Sequence, residues 1–231
     1  MNIWKLLKKI LAPKKCYSCK KEWHFFCEDC GYKLFKYESS CFICKNPSEN
    51  FEIHKNCKND EIYYDKVIIK YHYKWYFVSK MIKDWKYYFK KDVMYDFWED
   101  LYEILTLNED LALNSLFLPV PLHFLRKMKR WYNQSEVLIE SINTLAWIWY
   151  HKSILSRKKR TRQQSKLSKN KRIDNMKNSF TIRKNYIDII DKKEIIIVDD
   201  VISTGSTVNE MAKILKQNGA KKVTILCIAS D

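Results

Sequence analysis

The sequence predicts an α/β fold built on a parallel sheet, with a small cysteine-rich module at its N-terminal end. Three observations carry that prediction. Near the C-terminus an apolar run (Ile195 to Val198) is followed by a polar loop, a helix-periodic segment and a second apolar run (Val223 to Ala229), which is the order of a βαβ unit. Seven of the eight cysteines fall between Cys16 and Cys57. The 231 residues suffice for one domain of ordinary size plus a small appended module. The expected division is a basic amphipathic leader at 1–15, a metal-binding module at 16–60 and the α/β domain at 61–231.

Composition narrows the function classes. With 46% hydrophobic and 30% charged residues, disorder is not the default. Only Gly31, Gly205 and Gly219 occur, which excludes both the G-x-G-x-x-G dinucleotide fingerprint and the Walker A loop, since each needs two glycines at close spacing. The formal charge of +16 favours anionic partners such as nucleic acid, phosphorylated metabolites or an acidic membrane surface. The chain is rich in Lys, Ile, Asn, Tyr and Phe, whose codons are AT-rich, so genome composition can supply part of that excess. No apolar run approaches the ~18 residues of a membrane span, and no small-residue cleavage site follows an apolar core near the N-terminus. The expected location is therefore cytoplasmic, where clustered cysteines serve as metal ligands ahead of disulfides.

Taken in order, Ile3, Trp4, Leu7, Ile10 and Leu11 share one helical face, with Lys5, Lys8 and Lys9 away from it. Such a helix can dock on the protein's own core or lie on the inner face of an anionic membrane. The segment from Cys16 to about Asp60 is short of periodic apolar residues and needs another source of stability. Tyr63 to Phe89 holds eleven aromatic residues among lysines, read as a strand (Val67 to Phe77) and then a helix (Val78 to Phe89). Ser115 to Val120 reads as a buried strand. Gln134 to Tyr150 reads as a helix with Val137, Leu138, Ile142, Leu145 and Trp149 on its apolar side.

Ser156 to Arg172 contains nine basic residues, among them Arg157, Lys158, Lys159, Arg160, Arg162 and Arg172, and no acidic one. More than half of the net charge is concentrated there, which uniform compositional bias does not produce. This stretch is the expected polyanion contact, for a polyphosphate and for single-stranded DNA.

The chemistry concentrates at the βαβ unit. Asp199 and Asp200 follow the first apolar run, then Val201 and Ile202, then Ser203, Thr204, Gly205, Ser206 and Thr207 at the start of a helix with Val208, Met211, Ala212 and Leu215 as its stripe. Hydroxyls and backbone N–H groups at a helix N-terminus form an anion site at the positive end of the helix dipole, and Gly205 lets the backbone approach a phosphate closely. Two adjacent carboxylates suit vicinal sugar hydroxyls and Mg²⁺. The ligand this describes is a ribose carrying a 5′-phosphate.

The cysteines have metal-knuckle spacing. Cys16-x-x-Cys19, Cys27-x-x-Cys30 and Cys41-x-x-Cys44 each place two thiolates where both can face one tetrahedral zinc ion, and His54-x-x-Cys57 has the same spacing. Together they make eight ligands for two ions. Spacing does not give the pairing, one four-cysteine site remains the alternative, and His24 is a competing nitrogen ligand. Cys227, in the last strand, reads as a buried apolar residue.

The string VDDVISTGST resembles the signature of type I phosphoribosyltransferases, whose acidic pair holds the ribose of phosphoribosyl pyrophosphate (PRPP) and whose loop holds its 5′-phosphate. Pro119-Val120-Pro121, Arg130-Trp131-Tyr132-Asn133-Gln134, Arg160-Thr161-Arg162-Gln163-Gln164 with Leu167-Ser168 and Arg172, then Asn175 and Phe180, are similar in order and spacing to the ComF family of bacterial DNA uptake. Trp131 stands where that family usually has glycine, and His54-x-x-Cys57 where it usually has a fourth Cys-x-x-Cys. The resemblance implies a type I phosphoribosyltransferase fold and PRPP bound at Asp199, Asp200, Val201, Ser203, Thr204, Gly205, Ser206 and Thr207. Lys86, in the Lys-aromatic pair of an early loop, would face pyrophosphate. It implies Zn²⁺ and Mg²⁺ as cofactors and a role with single-stranded DNA in natural transformation. An active phosphoribosyltransferase of nucleotide metabolism is the rival expectation.

Overall fold

The computed structural model describes residues 15–22, 25, 27–31, 38–88, 105, 114–122, 132–158 and 177–230. The leader helix expected at Ile3 to Leu11, His24, Arg130, Trp131, Arg160, Arg162, Arg172 and Asn175 lie outside them.

The frame is a four-stranded parallel sheet formed by β1 (Lys66–His72), β2 (Ser115–Pro119), β5 (Glu194–Ile202) and β6 (Lys222–Ser230), in the spatial order β1-β6-β5-β2. Strand residues alternate between two cores. Ile195 and Ile197 of β5, Val67 and Ile69 of β1, and Leu116 and Leu118 of β2 join one cluster with Val208, Met211, Ala212 and Leu215 of helix α3 (Ser206–Gln217). Ile196, Val198, Ile68 and Phe117 join the other with Val78, Met81, Ile82 and Trp85 of helix α1 (Tyr76–Tyr88) and Leu138, Ile139 and Ile142 of helix α2 (Gln134–Ala146). Both faces of the sheet are covered, which is why its central strand reads as an unbroken apolar run.

The elements differ in places from the periodicity reading. The first strand ends at His72, five residues earlier than expected, and residues 73–75 turn the chain into α1. β5 runs on through the acidic pair to Ile202, so Asp199 pairs in register with Cys227 of β6. α2 stops at Ala146 because Trp147 takes a left-handed conformation (φ +46°), its N–H still reaching Asn143 O. That break in helical phase buries Ile148 and leaves Trp149, expected on the apolar side, 47% exposed. Beyond it Tyr150 bridges in parallel to Phe117, extending the edge of the sheet. Ser156 and Arg157, expected within the basic loop, lie instead in an antiparallel ribbon of β3 (Leu155–Arg157) and β4 (Phe180–Ile182), with Arg157 paired to Phe180; residues 159–176 of that stretch lie outside the described residues. Cys227 is buried in β6, as an apolar residue would be.

The cysteine-rich segment also shares the main core. Cys41, Phe42 and Ile53 belong to the cluster containing α3, while Tyr17 belongs to the one containing α1. Its stability is therefore drawn partly from apolar burial against the sheet layers, which its own sparse apolar content did not disclose.

Candidate functional site

At the C-terminal end of β5, Asp199, Val201, Ile202, Ser203, Gly205, Ser206, Thr207 and Val208 line a cavity of about 60 Å³. This is where ligands bind in open parallel sheets, at the carboxyl ends of the strands. α3 begins at Ser206 and has no acidic residue in its first turn, so its positive end meets the cavity uncompensated. Thr204 and Ser206 hydroxyls lie 3.0 Å apart, and Ser206 N–H donates to Thr204 Oγ1 at 3.4 Å, fixing the loop's hydroxyls beside the helix start. Six of the nine PRPP residues named from sequence line the cavity; Asp200 and Thr204 are their immediate neighbours in the chain, and Lys86 is not among the lining residues.

Gly205 serves a purpose beyond the expected one. Its φ of +74° disfavours any other residue, and a Cβ there would lie 3.1 Å from Phe42 Cε1 and 3.3 Å from the Tyr64 hydroxyl. Phe42 of the cysteine-rich segment and Tyr64 thus crowd the place a side chain would take, and the missing side chain also frees the backbone on the cavity side.

The acidic pair is held by three elements. Asp200 N–H donates to Asp199 Oδ1 at 2.9 Å, and Val201 N–H to Asp200 Oδ1 at 2.6 Å. Ser135, in the first turn of α2, donates its hydroxyl to Asp199 Oδ1 at 3.1 Å. Asn133 caps that helix by accepting from Ser135 N–H and donates to Val120 O, which ties the motif Tyr132-Asn133-Gln134 to the end of β2. Lys86 is in the last turn of α1, not in a loop, and its Nζ lies 2.9 Å from Asp200 Oδ1. Burial and the neighbouring Asp200 charge push the Asp199 carboxyl up to about 7, against the opposing pull of Lys86.

The cysteines resolve into two groups. Cys16, Cys19, Cys27 and Cys30 form one; Cys41, Cys44, His54 and Cys57 form the other, and within each the ligand atoms lie within 4.8 Å of one another. The pairing left open by the spacing is therefore sequential. Cys19 and Cys27 sulfurs are 3.5 Å apart, and Cys44 Sγ is 3.4 Å from His54 Nδ1. A tetrahedral zinc with ~2.3 Å bonds to sulfur has ligand edges of about 3.8 Å, so the donor sets fit the ion. Thiol ionisation has the same character. Burial tends to raise Cys16, yet backbone N–H groups of Cys27, Cys19 and Ser18 bring it down to about 6. Cys27 gains from the Cys30 N–H but is pushed up to about 12 by burial and its thiol neighbours. In the second group Cys41 falls to about 7, despite its burial, through backbone N–H groups of Cys44, His54 and Ile43. There the Cys44 side chain and then burial push Cys57 up to about 11. One thiolate forms readily in each group and the next is opposed, the pattern of ligands that a central cation would bring to full ionisation.

Both groups touch elements that carry the site. Tyr17, next to Cys16, donates to Asp84 of α1 at 2.7 Å, two residues from Lys86. Phe42, next to Cys41, backs Gly205. Sequence reasoning missed Ser135, Phe42 and Tyr64 altogether. A serine at the head of a helix and an aromatic beside a cysteine carry no local signal of a site far along the chain.

The chain resembles known proteins at three levels. The family model "Phosphoribosyl transferase domain" matches residues 112–231. Competence protein F of Haemophilus influenzae is 30% identical over 227 residues, covering 93% of this chain and 89% of that protein. DNA utilization protein YhgH of Escherichia coli O157:H7 is 33% identical over 118 residues, 51% of this chain and 50% of that protein. Among solved structures, a hypoxanthine phosphoribosyltransferase from Staphylococcus aureus has a TM-score of 0.37 and 15% identity, covering 62% of this chain and 65% of that chain, a likeness too remote to bear on function.

Proposed function

The chain belongs to the ComF family of phosphoribosyltransferase-domain proteins, and from that premise we propose that it binds PRPP at the β5–α3 loop and acts in DNA uptake during natural transformation, handling single-stranded DNA. The observation that carries the reading is the cavity at the head of α3, where hydroxyls and an acid-free helix start adjoin Asp199. The 5′-phosphate sits among Ser203, Thr204, Gly205, Ser206 and Thr207, and the ribose hydroxyls donate to Asp199 and Asp200. Lys86 reaches the site from α1 and serves the pyrophosphate once the sugar takes over Asp200. Mg²⁺ bound beside Asp199 and Asp200 would supply charge neutralisation to the pyrophosphate. Zinc belongs to the two cysteine groups, which we assign to a 16–60 module preceding a 61–231 phosphoribosyltransferase-like domain.

Among the described residues no helix is long and apolar enough to cross a membrane. We place the protein in the cytoplasm; for the basic segment 1–15, docking on the protein's own core is the first expectation, and contact with the inner face of the membrane or with the competence machinery is the second. Calorimetric titration with PRPP and Mg²⁺ tests the ligand; failure to bind refutes the assignment. An active transferase is the second reading, favoured by the loop and acidic pair standing together. Pyrophosphate release in a screen of bases and amines decides between the two.

The DNA-binding surface is assigned to the basic stretch emerging from the β3–β4 ribbon, where Arg157 lies over the Phe180 ring and Lys158 N–H bonds Ser179 O. Binding there releases counterions, so DNA affinity falls steeply with salt. Replacing Lys158, Lys159, Arg160 and Arg162 by neutral residues flattens the log–log slope by about 0.7 for each phosphate that is no longer neutralised. Fluorescence anisotropy of a labelled oligonucleotide across salt concentrations measures it, and an unchanged slope moves the DNA elsewhere.

A further inference from the structure

Phe42, adjacent to the second cysteine group, stands behind the loop at the head of α3. Phe42 follows Cys41 directly, and both are buried in the core cluster that includes Ile202 and Val208 on either side of the loop. The Phe42 ring packs edge-on to Tyr64, centroids 6.3 Å apart, and these two side chains would lie 3.1 and 3.3 Å from a Cβ on Gly205, closer than ordinary contact. The chain just past Cys57 grips the same helix. Tyr63 N–H donates to Asn209 Oδ1 at 3.0 Å, and Asn209 donates back to Glu61 O at 2.7 Å. Farther along α3, Lys216 pairs with Asp65 at 2.8 Å. The first group lies elsewhere, on α1 through Tyr17 and Asp84.

We propose that the group Cys41, Cys44, His54 and Cys57, acting through Phe42 and Asn209, sets the conformation of the 203–209 loop, so that metal held by that group and phosphate held by the loop strengthen each other's binding. The inference rests on the reading of this loop as a phosphate site. The physical reason is that Gly205 has no side chain to anchor itself in its left-handed conformation, so its position depends on the aromatic wall against it. Ligation of Cys41 anchors the backbone that carries that wall. Linkage makes the effect reciprocal: whatever metal does for phosphate, phosphate does for metal.

The test uses the full-length, metal-loaded protein and the variants Phe42→Ala, Phe42→Leu, Cys57→Ser and Cys19→Ser. Hydrogen exchange of the 203–209 amides is measured without ligand, and inorganic phosphate and PRPP are then titrated. Exchange is expected to quicken about tenfold in Phe42→Ala and Cys57→Ser, to be intermediate in Phe42→Leu and to stay at the wild-type rate in Cys19→Ser, with phosphate affinity falling in the same order by a similar factor. Saturating phosphate is expected to slow metal loss to a chelator from the second group only. Unchanged exchange in Phe42→Ala, or equal quickening in Cys19→Ser, overturns the proposal. If Phe42→Ala does not fold, Phe42→Leu against Cys19→Ser makes the same comparison. If the wild type binds neither phosphate nor PRPP, the ligand reading falls and takes the phosphate half of the coupling with it, while exchange still accepts or rejects the mechanical half.

Discussion

Replacing Asp199 and Asp200 together by asparagine is expected to abolish PRPP binding while leaving the fold intact. Each carboxylate accepts a hydrogen bond from a ribose hydroxyl in the proposed complex, and bonds to a charged group contribute about 1.5–3 kcal/mol each, so losing both costs roughly a hundredfold or more in affinity. Calorimetry measures it, and unchanged affinity removes the acidic pair from the site. Stability is expected to move the other way. Burial and Asp200 hold the Asp199 carboxyl at about 7 in the folded chain, well above its ordinary 3.8. A carboxyl raised by folding costs nothing below the ordinary value, and its cost grows as pH climbs to about 7 and is then fully present. The Asp199→Asn variant therefore gains melting temperature over the wild type as pH is raised from about 4 to about 8 in metal-free buffer. A constant or shrinking difference contradicts the assignment of strain to this carboxylate. Asp199 is, on this account, a standing cost to the empty protein.

Metal analysis of the purified chain is expected to return two zinc ions, one for each group of four ligands. Structural zinc contributes apparent binding energies of about 10–16 kcal/mol in small modules, as large as the whole stability of an ordinary domain, ~5–15 kcal/mol. Chelation should therefore unfold residues 16–60 at temperatures the loaded protein survives. Binding must also release protons, since Cys27 and Cys57 are held far above neutrality without a cation. Affinity then rises with pH across the neutral range, read by competition with a chromophoric chelator. A value of one zinc ion removes His54 and Cys57 as a ligand pair, and zero removes the metal-bound module altogether.

What could be read from residue order follows the range of the interactions involved. The β5–α3–β6 unit was legible because its signals are local. The apolar run from Ile195 to Val198, the hydroxyls at the helix start and the stripe from Val208 to Leu215 all act within a turn or a strand length. Boundaries were less legible where backbone conformation overrode periodicity. Trp147 ends α2 in a left-handed turn that a bulky aromatic does not advertise, and the turn shifts the phase of Trp149. The β3–β4 ribbon gives no clear signal because three-residue strands on either side of a charged stretch have too little alternation to count.

The sequence by itself determined the class of fold, the hydroxyl-rich loop at the head of α3 and the Cys-x-x-Cys pairs, since each depends on residues whose spacing puts them side by side. Only the tertiary structure decided which knuckles share a group, that Lys86 faces Asp200 across 114 positions, that Ser135 bonds Asp199, and that Phe42 stands behind Gly205. The reason is physical. A turn or a Cys-x-x-Cys pair is fixed by a few backbone dihedrals, whereas contacts between distant segments depend on how two cores pack onto one sheet, and no short window of residues contains that information.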